Sequence, residues 1–526
     1  MVFEKGADIQ SYSGAELLVR LPRLAARISE ATPDGSLVLI ISEDPETQWL
    51  TFLAAMWAGR VPGLLTPPNA KIAPERYAAE FRVIGETHTN AVFLAAGEVK
   101  RSIAESPLDL TVIDLEQIFG DDTAANLVVQ PTSPIRFYQQ SSGTTGIRKG
   151  MIVKERQLLA QLDLYGRAVD WRKDDVVVSW LPLYHDMGLI AAAFGALLRG
   201  SRFVCTSPFR WLAKPRWLLD AFARHNGTLC WMPNFAFEFM VNRWRASWRI
   251  PDNAFSSARL IINCSEVVSK TSMDRFVDCF KCFGFSESAL GTCYAMAENV
   301  FAVTQSAHGA AARGETVAIV SDDGGHWAEL DPGELGRSIA SSGHILPGMR
   351  LRIDGNEAPA NRKVGQIEIA SPTLVESYTD GVRFWPVSQD GWYATNDLGF
   401  LSDGELFVLG RGDDMINRAG NLIDPAVIEL AAEAVTGVKS GRIAVFGIDQ
   451  QREGTQGVVL LAEPENAETP LDEIRQALNE RVTELTGLTP TIVTIVPPGW
   501  LLKSSSGKIS RQRSREKYLK ANFGKS

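Results

Sequence analysis

A chain of 526 residues, 45% hydrophobic and 22% charged, is too long for one hydrophobic core and reads as a globular protein of two or more domains. A formal net charge of −9 argues against a general nucleic-acid binder. The start, MVFEKGADIQ, lacks the apolar core of a signal peptide, and the longest mostly apolar run, LIAAAFGALL from Leu189, is too short to span a bilayer, so a cytoplasmic protein without a membrane span is expected.

Taken in chain order, the first 400 residues alternate strand-like and helix-like segments. SLVLIIS (Ser36 to Ser42) predicts a strand, followed by a helical ETQWLTFLAAMWAG ending on Gly59. NAVFLA, DVVVSWLPL, SRFVCT, GTLCWM and ARLIINC are further short apolar runs with helical stretches between several of them. That alternation predicts an α/β protein with largely parallel sheets. Near Glu405 the texture changes: GELFVLGRGDD reads as a strand ending in Gly, Arg, Gly and acids. Beyond it lie helix PAVIELAAEAV, strands RIAVFGI and GVVLLAE, helix LDEIRQALNERVTEL, strand TIVTIV and a polar tail. These predict a separate small α+β domain of about a hundred residues. The division is placed at 1–411 and 412–526.

Two segments carry a Ser/Gly/Lys pattern. In YQQSSGTTGIRKGMIV (Tyr138 to Val153), glycines let backbone amides approach an anion, Ser and Thr add hydroxyl donors, and Lys149 adds a point charge. Its flanks RFY and MIV predict two strands, so the loop reads as a phosphate cradle between strands or as a pliant surface loop. It is not the common P-loop, because Gly150 follows the lysine. The second segment, KSSSGKISR, lies in the last 24 residues, which hold eight Lys/Arg and one Glu and otherwise predict a solvated, partly frayed end. One such segment per domain suggests one anion held between them. The six cysteines fall between Cys205 and Cys293; Cys279 and Cys282 form a single CxxC with no second pair or nearby histidine, so free thiols are expected.

These pieces in this order resemble the adenylate-forming superfamily of acyl-CoA ligases, luciferases and adenylation domains. SSGTTGIRKG is similar to its phosphate loop, YAMAE (Tyr294 to Glu298) to its adenine and magnesium motif, and YATNDLG (Tyr393 to Gly399) to its ribose-binding aspartate motif. GRGDDMI (Gly410 to Ile416) resembles its hinge, and LKSSSGKISR (Leu502 to Arg511) its catalytic-lysine motif. Within the superfamily, SWLPLYHDMGLI (Ser179 to Ile190), MPNFAFEF (Met232 to Phe239) and Ala297 in YAMAE resemble the fatty acyl-AMP ligases. So does the long interval Asn299 to Ala340, where those ligases carry an insertion linked to poor use of CoA. The resemblance implies an α/β fold: a large N-terminal adenylate-forming domain with mixed and parallel sheets, plus a small mobile C-terminal α+β domain.

It also implies roles. Lys508 would neutralise charge at the α-phosphate, and Glu298 would hold Mg²⁺ on ATP. Ser142, Gly143, Thr144, Thr145 and Lys149 would grip the phosphates, and Tyr294, Ala295 and Met296 would lie against adenine with Tyr294 stacked on it. Asn263, Ser265 and Glu266 would line the adenine side, although Cys264 and Ser265 depart from the family's turn. Asp397 and Arg411 would hold the ribose, and Asp413 would be the hinge. His185, Asp186, Asn234 and Phe235, with Trp231 and Pro233, would line the acid pocket; His185 is read as a wall rather than a base, since the substrate is already a carboxylate. Ala295 and Asn396 stand where the family usually has glycine, and Ile147–Arg148 stand where it often has X-Pro. The expected partners are a carboxylic acid and the phosphopantetheine of a holo acyl carrier protein, with ATP and Mg²⁺ as cofactors. An acyl-CoA ligase, an adenylating enzyme for an amino acid or unusual acid, and a nucleotide binder without catalysis are the alternatives.

Overall fold

The computed structural model describes residues 1–68, 74–104, 110–120, 134–141, 150–330, 336–379, 384–386, 390–418, 420–450, 455–466, 470–503 and 509–523. The six short apolar runs read as strand-like become strands, Leu37–Ile40, Ala91–Ala95, Val176–Ser179, Arg202–Cys205, Leu229–Met232 and Leu260–Asn263, while the longer run from Leu189 is helical. The strands fall into two large sheets. One has eight strands with Leu37–Ile40 in its parallel part, and the other has nine strands with Leu229–Met232 near its centre. The helix expected after Ser42 runs Pro45–Trp57, capped by Asp44 and stopped before Gly59, whose φ of +70° favours glycine.

The two sheets share one core. Phe52 from that helix, Phe137 from the eight-stranded sheet and Phe194 from the nine-stranded side meet with ring centroids 5.7–6.0 Å apart. Parallel strands buried on both faces are continuous apolar runs, which is why these segments lack alternation. A third sheet of seven strands is wholly antiparallel and departs from the expectation of largely parallel sheets. Its strands Gly314–Asp322 and Gly325–Leu330 form a hairpin inside the interval Asn299 to Ala340.

Residues beyond 415 build a second core of their own, with Ile428, Val445, Leu460, Leu478 and Val482 at its centre. Helices Pro425–Glu433 and Leu471–Thr486 cover a three-stranded sheet of Val438–Gln450, Thr455–Pro464 and Ile492–Ile495. The chain end corrects one expectation: Arg511–Phe523 is a helix and not a frayed tail. Tyr518 is buried against Phe446 and Leu461, Arg515 Nε donates to Gly447 O, and Lys517 Nζ donates to Trp500 O while lying 4.3 Å from the centre of the Trp500 ring. Arg515 and Lys517 are thus tied to backbone carbonyls, a pattern that a search for apolar periodicity passes over. Among the described residues no helix is long and apolar enough to cross a membrane, and no cluster of three or more His, Cys, Asp or Glu is placed to hold a metal.

Candidate active site

The strand Arg136–Gln140 and the strand Gly150–Lys154 flank the first Ser/Gly/Lys loop as an antiparallel pair, as the sequence predicts. Ser142, Gly143, Thr144, Thr145 and Lys149 lie outside the described residues, as does Lys508. The remaining candidates gather in two groups, with Glu298 between them.

The first group sits at the C-terminal ends of the nine-stranded sheet, where open α/β sheets take ligands. Asn263 ends the strand Leu260–Asn263 fully buried; its Nδ2 donates to Asn234 Oδ1 at 2.9 Å, and its own Oδ1 has no partner among the described residues. Asn234 opens the helix Asn234–Arg243, and the amide of Phe235 donates to Glu266 Oε2 at 2.9 Å. Ser265 holds φ +70° between them and reaches Met187 Sδ at 3.7 Å. That contact joins this group to the loop of His185 and Asp186.

Asp186 caps the π-helix Met187–Phe194 through Met187 N at 2.8 Å. Gly188 is required in that helix because a Cβ there would stand 2.3 Å from Pro182 O. Burial pushes the Asp186 carboxyl up to about 6; the hydrogen bond from Met187 opposes this and the charge of Glu298 adds to it. His185 packs against Tyr184, ring centroids 5.1 Å apart. Trp231 is fully buried, stacks 5.5 Å from Trp171 and donates Nε1 to Tyr165 Oη at 2.7 Å, which is a core position.

The second group crosses between sheets. Tyr294, in the strand Leu290–Ala295, donates its hydroxyl to Asp397 Oδ2 at 2.6 Å, although 103 residues separate them. Asp397 and Arg411 are register neighbours on adjacent strands, and Arg411 Nη1 lies 3.2 Å from Asp397 Oδ1. The Tyr294 ring is packed among Val303, Leu351, Ile367 and Ile369, and burial raises its hydroxyl well above the ordinary range. Burial also raises Asp397, against the pull of Arg411 and Tyr294. Asn396, which replaces the family's glycine, takes φ +62° and donates Nδ2 to Asp413 Oδ2 at 2.6 Å. Asparagine tolerates that region best among residues with a side chain, so the replacement keeps the turn.

Glu298 lies in the turn Ala297–Asn299, and its charge is felt by both Asp186 and Arg411. The turn is held by a buried network that sequence reading missed. Thr373 Oγ1 donates to Gln161 Oε1 at 3.0 Å and lies 2.9 Å from Asn299 Oδ1, while Asn299 Nδ2 donates to Ala302 O at 2.7 Å. Three isolated polar residues so far apart in the chain leave no local signal. Val300, next in the chain, takes φ +64°, a strained conformation for a β-branched residue.

A family model described as AMP-binding enzyme matches residues 1–379. The chain belongs to that family. It is an ATP-dependent adenylate-forming ligase. The long-chain-fatty-acid–AMP ligase FadD26 of Mycobacterium marinum is 27% identical over 537 residues, 93% of this chain and 88% of the relative. The medium-chain-fatty-acid–[acyl-carrier-protein] ligase JamA of Moorena producens is 26% identical over 542 residues, 97% of this chain and 90% of the relative. Among solved structures, a chain from studies of fatty acyl-adenylate ligases of E. coli and L. pneumophila superposes with a TM-score of 0.84 at 24% identity, covering 100% of this chain and 96% of the other. McyG A-PCP complexed with phenylalanyl-adenylate gives 0.82 at 21% identity, covering 99% and 81%. At these identities the structural likeness establishes the fold.

Proposed function

We propose that this ligase activates a carboxylic acid, in the first instance a fatty acid, as an acyl-adenylate and passes the acyl group to the phosphopantetheine thiol of a separate acyl carrier protein. The observation that carries the choice of acceptor is how the interval after Glu298 is fastened. Val317 and Ala328 of its hairpin and Ile339 beyond it share a core with Met415 and Leu422. Arg337 Nη1 then meets Asp424 Oδ2 at 2.8 Å, both side chains largely buried. A region so tied resists the rearrangement that thioester formation on free CoA demands. The names of the relatives FadD26 and JamA support an AMP-linked ligase and a carrier acceptor.

The residues present fit the nucleotide. Among the described residues, Asn263 Oδ1 is a buried acceptor without a partner, suited to a purine amino group, and Arg411 Nε is a buried donor without one, suited to a sugar or phosphate oxygen. Glu298 is a donor of the kind Mg²⁺ takes, a single carboxylate with phosphate oxygens completing the shell. When bound, Mg²⁺ would neutralise charge on those phosphate oxygens. In this reading Asp397 and Arg411 hold the ribose and Tyr294 packs at adenine while orienting Asp397. His185, Asp186, Asn234 and Phe235 flank the acid. Residues 1–411 form the substrate domain, 412–526 bring Lys508, and Asp413 is the hinge.

The first step needs no general base. A carboxylate oxygen attacks the α-phosphorus, the bond to the bridging oxygen breaks, and pyrophosphate leaves toward Ser142–Thr145 and Lys149. Lys508 offsets the charge that grows at the α-phosphate. In the second step the carrier thiol gives up its proton to solvent and attacks the acyl carbonyl, and the bond from that carbon to the phosphate oxygen breaks as AMP departs. Lys508→Ala tests the assignment: pyrophosphate exchange should collapse while ATP still binds in a titration. Unchanged exchange would remove Lys508 from the mechanism.

A further inference from the structure

The helix that ends the chain begins at Arg511, three residues beyond Lys508, and its first side chain is not directed to solvent. Arg511 Nε and Nη2 form a two-point pair with Glu429 at 2.7 and 2.6 Å. Arg511 Nη1 lies 3.6 Å from Asp414 Oδ2. Glu429 sits within the helix Pro425–Glu433, and its Oε1 also accepts the amide of Val445 at 3.0 Å. Asp414 belongs to the 3₁₀ turn Gly412–Asp414, whose Asp413 is held by Asn396 of the strand that carries Asp397. One guanidinium therefore touches the helix core of the small unit and the turn at which it joins the rest.

The residues that flank 504–508 are fastened to one another. Lys503 and Ile509 pair as an antiparallel bridge, Ser510 N donates to Leu502 O at 2.8 Å, and Arg513 Nη1 donates to Lys503 O at 2.8 Å. Leu502 N donates to Ser514 Oγ at 3.2 Å. The chain that leaves at Lys503 thus returns opposite itself at Ile509, and the next residue but one is the fork on Glu429 and Asp414. Burial works against the Arg511 charge, and Glu429 first, then Asp414 and Asp424, more than reverse that effect.

We infer that Arg511, Glu429 and Asp414 are positioning residues that fix the stem of the Lys508 segment to the hinge turn, so that the pose of the turn sets where Lys508 is delivered. A planar fork suits this task because it holds two carboxylates at once in fixed directions, which an ammonium cannot do. Glu429 and Asp414 lie on different elements but both follow Asp413, so a change in backbone direction at Asp413 would carry Asp414, Glu429 and Arg511 together, and with them the residues that flank 504–508. The inference rests on the adenylate-forming reading of Lys508.

The test compares Glu429→Gln, Asp414→Asn and Arg511→Lys with the charge-swapped pair Glu429→Arg/Arg511→Glu. Misplacing a reacting group by about 1 Å costs on the order of a hundredfold, so the single variants should lose ~10- to 100-fold in kcat for adenylate formation. The KM for ATP should stay within about twofold, because the groups assigned to ribose and phosphates lie elsewhere. The swapped pair should regain part of that loss. Limited trypsin digestion without substrates supplies an independent reading: cleavage after Lys503 and Arg511 should speed up several-fold in Glu429→Gln. Wild-type kcat together with wild-type cleavage in both Glu429→Gln and Asp414→Asn would overturn the inference. So would losses of kcat that merely track melting temperature and a raised KM. A wild-type protein that makes no adenylate, with its stem cleaved faster in Glu429→Gln, would sink the enzymatic reading and leave the clamp standing.

Discussion

Asp397 takes its orientation from two sides at once, from Arg411 on the neighbouring strand and from the Tyr294 hydroxyl on another sheet. A hydrogen bond to a charged group contributes roughly 1.5–3 kcal/mol. Asp397→Asn should therefore raise the Kd for ATP ~10- to 100-fold in a calorimetric titration, and Tyr294→Phe should raise it less. Equal affinity in all three proteins would show that the ribose is held elsewhere. Asp186 makes a prediction about pH. Its folded-state carboxyl is raised from 3.8 to about 6, so the folded protein holds a proton that the unfolded chain has lost between those values. Stability from this group falls as pH rises through that window, and the deficit persists above it. In nucleotide-free protein, Asp186→Asn keeps the helix cap and removes the charge. It should be more stable than wild type by up to about 3 kcal/mol at pH 8 and no more stable near pH 4, read by urea unfolding. A gain of equal size at both pH values would contradict the assignment.

At the scale of elements, the ion pair Arg337–Asp424 has a definite role to test. Removing one partner of a buried pair costs about 3–5 kcal/mol, because the other charge is left without its counter-ion. Arg337→Met should lower stability by roughly this much and raise the yield of acyl-CoA from added CoA. A stable variant with unchanged products would leave the interval Asn299 to Ala340 without the restraining function given to it here. Leu37–Ile40, Ala91–Ala95, Val176–Ser179, Arg202–Cys205, Leu229–Met232 and Leu260–Asn263 were legible in the sequence because each is a short apolar run, whereas an exposed edge strand such as Asp8–Ser11 carries no such signal. The positions of Tyr294, Asp397 and Arg411 were legible from motif order. The contact between Tyr294 and Asp397 was not, since it is made across sheets by residues 103 apart. The hairpin Gly314–Leu330 was seen only as a long interval, because half-exposed antiparallel strands carry a weaker apolar pattern than buried parallel ones. The final helix was read as a solvated end for a related reason: cations bound to backbone carbonyls hold it, with Tyr518 as its buried anchor.

The whole molecule joins two cores, a Tyr294–Asp397–Arg411 group built across two sheets, and a final helix clamped to the turn between the cores. The central claim is that this assembly makes an acyl-adenylate and withholds it from CoA. The most direct measurement incubates the purified protein with Mg-ATP and a panel of carboxylic acids, with and without CoA, and identifies the products by mass spectrometry. The account predicts that an acyl-AMP accumulates with at least one acid and is not converted when CoA is added. Efficient formation of acyl-CoA would contradict it.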